Sequence, residues 1–171
     1  MTEQPVRYHR TRKVVRLSII PVLAALIIAL TVAAVLLVRD NQRATATATA
    51  RRDAPQAAQE TVAKMLSYTA TTVGKDLTAV PGLTGPFRDQ YRDLVTRTIV
   101  PVAQDKGVTT RAHVVSTGIL AASPDHITLL MYIDQVTVST AVPAPTTSSS
   151  RVSVTAEKHG DQWLISGMTP L

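Results

Sequence analysis

Leu17 to Val38 reads LSIIPVLAALIIALTVAAVLLV, a run of 22 residues without a charged side chain. As a helix rising about 1.5 Å per residue it spans about 33 Å, enough for the hydrocarbon core of a bilayer. Pro21 falls near the first turn, where a missing N–H costs little because those donors lack helical partners anyway. A cleaved secretory signal would need a shorter apolar region, of roughly 7–15 residues, closed promptly by a small-x-small site. An Ala-x-Ala pattern does occur, ATATATA at Ala44–Ala50, but Arg39, Asp40 and Arg43 set it apart from the apolar run. The run is therefore expected to remain as a permanent transmembrane helix.

The anchor also explains the charge. The chain carries 18 Lys/Arg against 12 Asp/Glu, a formal +6, which taken alone resembles the footprint of a nucleic-acid binder. The excess sits at the front: Arg7, Arg10, Arg12, Lys13 and Arg16 precede the apolar run, and Arg39, Arg43, Arg51 and Arg52 come after it. From Asp53 onward there are nine basic and ten acidic residues. The cations thus belong where anionic head groups lie, with the lipid bilayer as partner and no nucleic acid. Five basic residues before the helix against four after it place the N-terminus in the cytoplasm. The expected organisation is a cytoplasmic basic tail over 1–16, a plasma-membrane helix over 17–38, a linker or stalk over 39–52, and one extracytoplasmic domain over 53–171.

The stalk reading rests on NQRATATATARR, which is polar, repetitive and without large apolar groups. Asp53 followed by Pro55 then suits a helix start. Ala58, Val62, Met65, Leu66, Thr69 and Val73 recur at helical spacing up to Gly74. A second helix is predicted from Gly85–Pro86, with Phe87, Tyr91, Leu94, Val95, Thr98 and Val102 as its inner face. Pro101 should kink it at the carbonyl of Arg97 or end it early, and Gly107 should stop it.

Beyond Gly107 the period changes to two. Val108–Ala121 and His126–Thr140 read as strands of a hairpin joined by the Ser-Pro-Asp turn at Ser123–Asp125. Ile127, Leu129, Met131 and Ile133 share one face of the second strand, opposite Thr128, Leu130, Tyr132 and Asp134. Val142–Ser150, VPAPTTSSS, is expected to be an exposed loop. Arg151–Lys158 and Gln162–Met168 form the last two strands around a His-Gly-Asp turn. Helices followed by a four-stranded antiparallel meander give an α+β fold, with helices packed on one face of a curved sheet.

Several stretches together resemble a known family. AQETVAKMLSYTATTVGKDL, TGPFRDQYRDLVTRTIVPVAQDKGV, LAASPDHITLLMYIDQVT and the closing SRVSVTAEKHGDQWLISGMTPL are similar to the actinobacterial Mce-associated membrane proteins, from the anchor to the C-terminus. Phe87-Arg88-x-x-Tyr91, the Ser-Pro-Asp turn and the terminal stretch from Asp161 to Pro170 carry most of the likeness. The resemblance implies a cone like that of nuclear transport factor 2 (NTF2-like). It also implies an accessory role beside Mce lipid- or sterol-import transporters of the cell envelope, with transporter subunits as partners.

Such cones also host ketosteroid isomerases and cyclases, so an Asp or His base in an apolar pocket has to be sought. Tyr68, His113, Tyr132, Asp134 and Trp163 are the candidate lining residues. Asp134 is the best placed as a base, and its plainer reading is a strand-end carboxylate reaching solvent or a backbone N–H. His113 reads more simply as an exposed or hydrogen-bonded sheet residue, and Trp163, the single tryptophan, as a core anchor. The four histidines lack the paired spacing of a metal site and there is no cysteine, so no metal and no cofactor are expected. The expected function is non-catalytic partner binding, the alternative a hydrophobic-ligand cone with or without chemistry. The sequence leaves the oligomeric state open.

Overall fold

The computed structural model describes residues 11–142 and 144–171, with side chains from Pro21 onward. The chain divides into two units, one ending at Gln42 and one running from Arg43 to Leu171. The element order is α1 (Thr11–Met65), α2 (Val73–Thr78), α3 (Gly85–Leu94), a π-helical turn (Val95–Ile99), α4 (Val100–Asp105), then β1 (Thr109–Ala122), β2 (His126–Val138), β3 (Thr146–His159) and β4 (Gln162–Pro170). The four strands form one antiparallel sheet in the order β1-β2-β3-β4. The α+β class, helices followed by a four-stranded antiparallel meander, is as read from the sequence.

In the first unit α1 carries the apolar run. Its side chains from Val22 to Val38 are exposed throughout, and it is long and apolar enough to cross a membrane. An unburied stripe of this kind needs lipid around it. The basic tail over 1–16 lies outside the residues with described side chains.

The second unit begins earlier than the sequence suggested. The 39–52 linker does not exist as a separate segment: its residues are helical, and Ala50 is buried with Ala54, Ala58, Val62 and Met65 in the domain core. Composition misled because alanine is both the best helix former and small enough to pack closely. Ala46, Ala50, Ala54 and Ala58, four apart, form a narrow stripe that large apolar residues would have made obvious. Pro55 lies within the helix rather than at its start. The carbonyl it leaves without a donor is that of Arg51, an exposed residue open to water.

The end of α1 also differs. The helix stops at Met65, whose carbonyl accepts a hydrogen bond from the buried Tyr91 hydroxyl at 3.0 Å. Tyr68 then exchanges two backbone hydrogen bonds, each 2.9 Å, with Thr110 of β1. The Thr-Ala-Thr-Thr stretch is a poor helix former, so a strap along the sheet edge wins over the predicted extension to Gly74.

Pro101, expected to kink the helix or end it early, is instead carried in continuous helix by a π-turn. Val95–Ile99 forms that turn, which absorbs the missing N–H. The extra residue rotates the succeeding helix, so Ala103 is buried where Val102 was predicted to be and Val102 is left exposed; Leu94, ahead of the turn, is exposed too, against the predicted inner face. Gly107, in the left-handed region at φ 60°, ends the helical layer.

In the sheet, Ile127, Leu129, Met131 and Ile133 are buried beneath the helices with Val152, Val154, Ala156, Trp163 and Ile165. Register pairs Leu129 with Val154 and Met131 with Val152, so one face of β2 and β3 is core throughout. The Ser-Pro-Asp turn is held by the Ser123 hydroxyl, which donates to Asp125 Oδ1 at 3.0 Å and accepts from the His126 N–H at 3.0 Å. The expected loop over 142–150 is only half a loop. Thr146–Ser150 pairs with Ile133–Thr137 because β2 runs long and its backbone needs a partner, which Thr and Ser supply without burying anything.

Candidate functional site

The alternation of β2 decides where its polar residues point. Ile133 lies in the core, so Tyr132 and Asp134 stand on the opposite face, away from the helices. There they line a groove of about 620 Å³ with the Val115–Ser116 bulge, Ser149, Arg151 and Leu171. Cross-strand pairing brings these residues together: Ser116 faces Tyr132, Tyr132 faces Arg151, and Asp134 faces Ser149. Around them Val115, Leu120, Tyr132, Val136, Val138 and Leu171 are exposed apolar side chains on one sheet surface or its rim.

Of the five residues singled out in the sequence, three meet here. His113 is the cross-strand neighbour of Asp134, and Asp134 Oδ1 accepts the Ser149 hydroxyl at 2.6 Å. The order across the strands is thus His, Asp, Ser. A nucleophilic serine needs the imidazole between itself and the carboxylate, to take its proton while the carboxylate orients the ring. With the carboxylate in the middle, the row can orient hydroxyls and bind cations or hydrogen-bond donors, and the imidazole is not placed to activate Ser149.

The other two lie elsewhere. Trp163 is buried on the core face, and its edge contributes to a smaller groove of about 390 Å³ beside Asp53, Glu60, Thr61, Lys64 and Gly82. Tyr68 belongs to the strap at the edge of β1, its ring half-buried against the core. The five therefore do not line one cavity inside the cone. The space between helices and sheet is filled by Met65, Leu77, Leu129, Met131 and Ile133, each almost fully buried.

One cluster escaped the sequence reading. The Ser-Pro-Asp and His-Gly-Asp turns lie at the same end of the meander, so His126 comes opposite Glu157. His126 Nε2 lies 3.7 Å from Glu157 Oε1, His159 Nε2 3.6 Å from Glu157 Oε2, and His126 Nδ1 3.3 Å from Asp125. Hydrogen bonds from His126 and then Ser123 hold the Asp125 carboxyl below the usual carboxylate range. The signal that could have found it is the meander itself, which aligns alternate turns. Among the described residues no three His, Cys, Asp or Glu side chains are arranged to hold a metal ion.

Among the described residues, Tyr91 is the titratable side chain that is buried. Desolvation pushes its phenol above the ordinary range, as expected for a hydroxyl whose role is to donate to Met65.

No model of a known protein family matches the sequence. Among solved structures, the fold is similar to an IcmL-like type IV secretion system protein of Legionella pneumophila (TM-score 0.55, 13% identity, 70% of this chain and 93% of that one). It is similar too to the periplasmic domain of DotI (0.57, 15% identity, 68% and 91%) and to a hexachlorocyclohexane dehydrochlorinase, LinA (0.50, 14%, 73% and 91%). These likenesses show the fold, the NTF2-like arrangement. In sequence, the chain is 34% identical over 123 residues to the uncharacterized protein Rv1362c of Mycobacterium tuberculosis, covering 71% of this chain and about half, 56%, of that one. It is also 34% identical over 160 residues to the outer membrane protein Rv1973 of the same organism, covering 93% of this chain and 98% of the relative. Because that alignment takes in nearly the whole of both proteins, the chain belongs to the family of the mycobacterial membrane protein Rv1973.

Proposed function

We propose that this chain is a non-catalytic accessory protein of the actinobacterial cell envelope, held by α1 in the plasma membrane with its N-terminus inside, and acting by binding other envelope proteins. The observation that carries this reading is the sheet face opposite the helices. A soluble monomer rarely leaves a contiguous apolar patch rimmed by polar groups without a partner for it. Here Val115, Tyr132, Val136, Val138 and Leu171 provide the apolar part, and Ser149 and Arg151 polar groups beside it. Tethering to the membrane raises the effective concentration of a partner in the same bilayer, so a modest surface suffices. The likeness to a type IV secretion system protein and to a periplasmic domain supports the use of this fold as a part of envelope machinery.

The resemblance to Mce-associated membrane proteins supports one partner class, the subunits of an Mce-type transporter importing lipids or sterols. The full-length tagged protein, purified from its native membrane, should enrich transporter subunits. That enrichment should survive Asp134→Ala and His113→Ala, and be lost on Val136→Lys, which places an ammonium in the patch. Recovery of the chain without any transporter subunit would overturn the Mce assignment. Enrichment lost in Asp134→Ala alone, with a lipid product altered in the same strain, would favour chemistry at the groove instead.

A further inference from the structure

Neither a positive φ nor crowding within its own chain requires a glycine at Gly118. It lies in the middle of β1, where glycine weakens a strand for lack of a side chain and through greater unfolded-state freedom. Its φ is not positive, and a Cβ placed on it would meet nothing within 4 Å. A glycine in a strand that neither backbone conformation nor packing requires is commonly a place where another backbone comes close.

The edge on which it sits is open over a defined length. β4, the other edge, is closed near its middle by Gly82 and Thr84, which hydrogen bond to Ile165. β1 is closed over its first part by the strap, where Tyr68 pairs with Thr110, and Ser67 bonds the Ala112 N–H at 3.0 Å. From Val114 to Ala122 the described residues show no strand or strap on that side. Gly118 is the centre of those residues. Lysine, proline and inward charge are missing from Val114–Ala122, so the only protection its edge carries from the usual set is its two bulges, at Val115 and Leu120.

The hydrogen-bond phase can be traced along the edge. Thr110 turns its N–H and C=O outward, to Tyr68, and the facing alternates from there. Counting the register through the bulge at Val115, Val114, Thr117, Ile119 and Ala122 present their backbone groups outward, while Ser116, Gly118 and Ala121 face β2. We infer that a second copy of this chain pairs here, antiparallel, about a two-fold axis through Gly118. Thr117 then exchanges both backbone hydrogen bonds with Ile119 of the second copy, and Val114 with Ala122. The two bulges, at Val115 and Leu120, fall one in each arm, so Val115–Ser116 of one copy stand opposite Leu120–Ala121 of the other and the register closes. Gly118 faces its own symmetry mate as a non-hydrogen-bonded pair, the closest approach in an antiparallel ladder, at about 4.5 Å between Cα atoms. No charged side chain is brought against its like within the paired stretch. The groove around Tyr132 and Asp134 shares Val115 and Ser116 with this stretch, but Tyr132, Asp134, Ser149, Arg151 and Leu171 lie outside it, so the pairing goes beyond the proposed function and is tested separately from it.

The chain has no cysteine, which makes the test direct. Gly118→Cys in the full-length protein, oxidised in its membrane, should give a disulfide-linked dimer, because the expected Cα separation lies within disulfide range. Thr147→Cys, exposed on β3, should stay monomeric under the same oxidant. Ile119→Pro removes an N–H that only the second copy would use; light scattering in mild detergent should show the protein mass halved, with Trp163 emission unchanged. If that variant fails to fold, Gly118→Lys serves instead, since a side chain there meets nothing in its own chain and sets like charges opposite each other across the axis. A wild-type monomer together with no Gly118→Cys cross-link would overturn the inference, as would a dimer that persists in folded Ile119→Pro or Gly118→Lys.

Discussion

Replacing Ala50 by leucine tests whether the residues after Gln42 belong to the domain or to a stalk. Ala50 is 2% exposed and its neighbour on the stripe, Ala54, is 0% exposed. Both face a core filled by Val62, Met65 and the sheet, so three further carbons have no space to enter. Overpacking of this kind costs about 1–3 kcal/mol. Ala48, two residues earlier, is exposed, and the same substitution there should stay within about 0.5 kcal/mol. For a unit of about 130 residues, 1 kcal/mol moves the melting midpoint by roughly 3–5 °C. Ala50→Leu at ~2 kcal/mol should therefore melt some 6–10 °C lower, and Ala48→Leu within about 2 °C of the parent. The assay is Trp163 emission in detergent, since this is the single tryptophan and it is buried. If the two variants melt together with the parent, the region is a free stalk and the close packing of the alanine stripe is wrong.

Single contacts give further expected outcomes. Gly82 sits at φ 83°, and a Cβ there would meet the Thr61 hydroxyl at 2.7 Å, so Gly82→Ala should cost about 1–3 kcal/mol in denaturant unfolding. Gly82→Ala paired with Thr61→Ala should recover the steric part and leave the φ penalty. Tyr91→Phe removes the donor to the Met65 carbonyl and should cost about 1–2 kcal/mol. Because burial raises the Tyr91 phenol above its unfolded value of 10.0, its contribution is complete below pH 10 and falls as pH rises beyond it. A pH-resolved unfolding series should show that alkaline loss in the parent and a smaller one in Tyr91→Phe. Asp134→Asn keeps an acceptor for Ser149 on a half-exposed face, so its midpoint should move by less than about 0.5 kcal/mol; a marked stabilisation would instead point to a carboxylate retained for function.

Several elements were legible because their signal is local. An uncharged run as long as Leu17–Val38 has few fates in water. The alternation Ile127, Leu129, Met131, Ile133 and the Ser-Pro-Asp turn are written in neighbouring residues, and register and burial agree with them. The candidate site was legible only in part. Tyr132 and Asp134 were rightly placed on one face together, and the row with His113 and Ser149 needed the cross-strand register. Period two says that a strand has two faces; it does not say which one the helices will cover.

By itself the sequence determined the apolar helix, the order of helices before strands, and the inward face of β2, since each arises from hydrophobic pattern within a few residues. Tertiary structure alone decided that the alanines after Gln42 are core, that Thr146–Ser150 is a strand, and that Tyr132 and Asp134 look outward rather than into the cone. Those outcomes depend on partners distant in the chain: a sheet to pack the alanines against, a long β2 to pair the serines, and a core already filled by Met65, Leu77 and Met131.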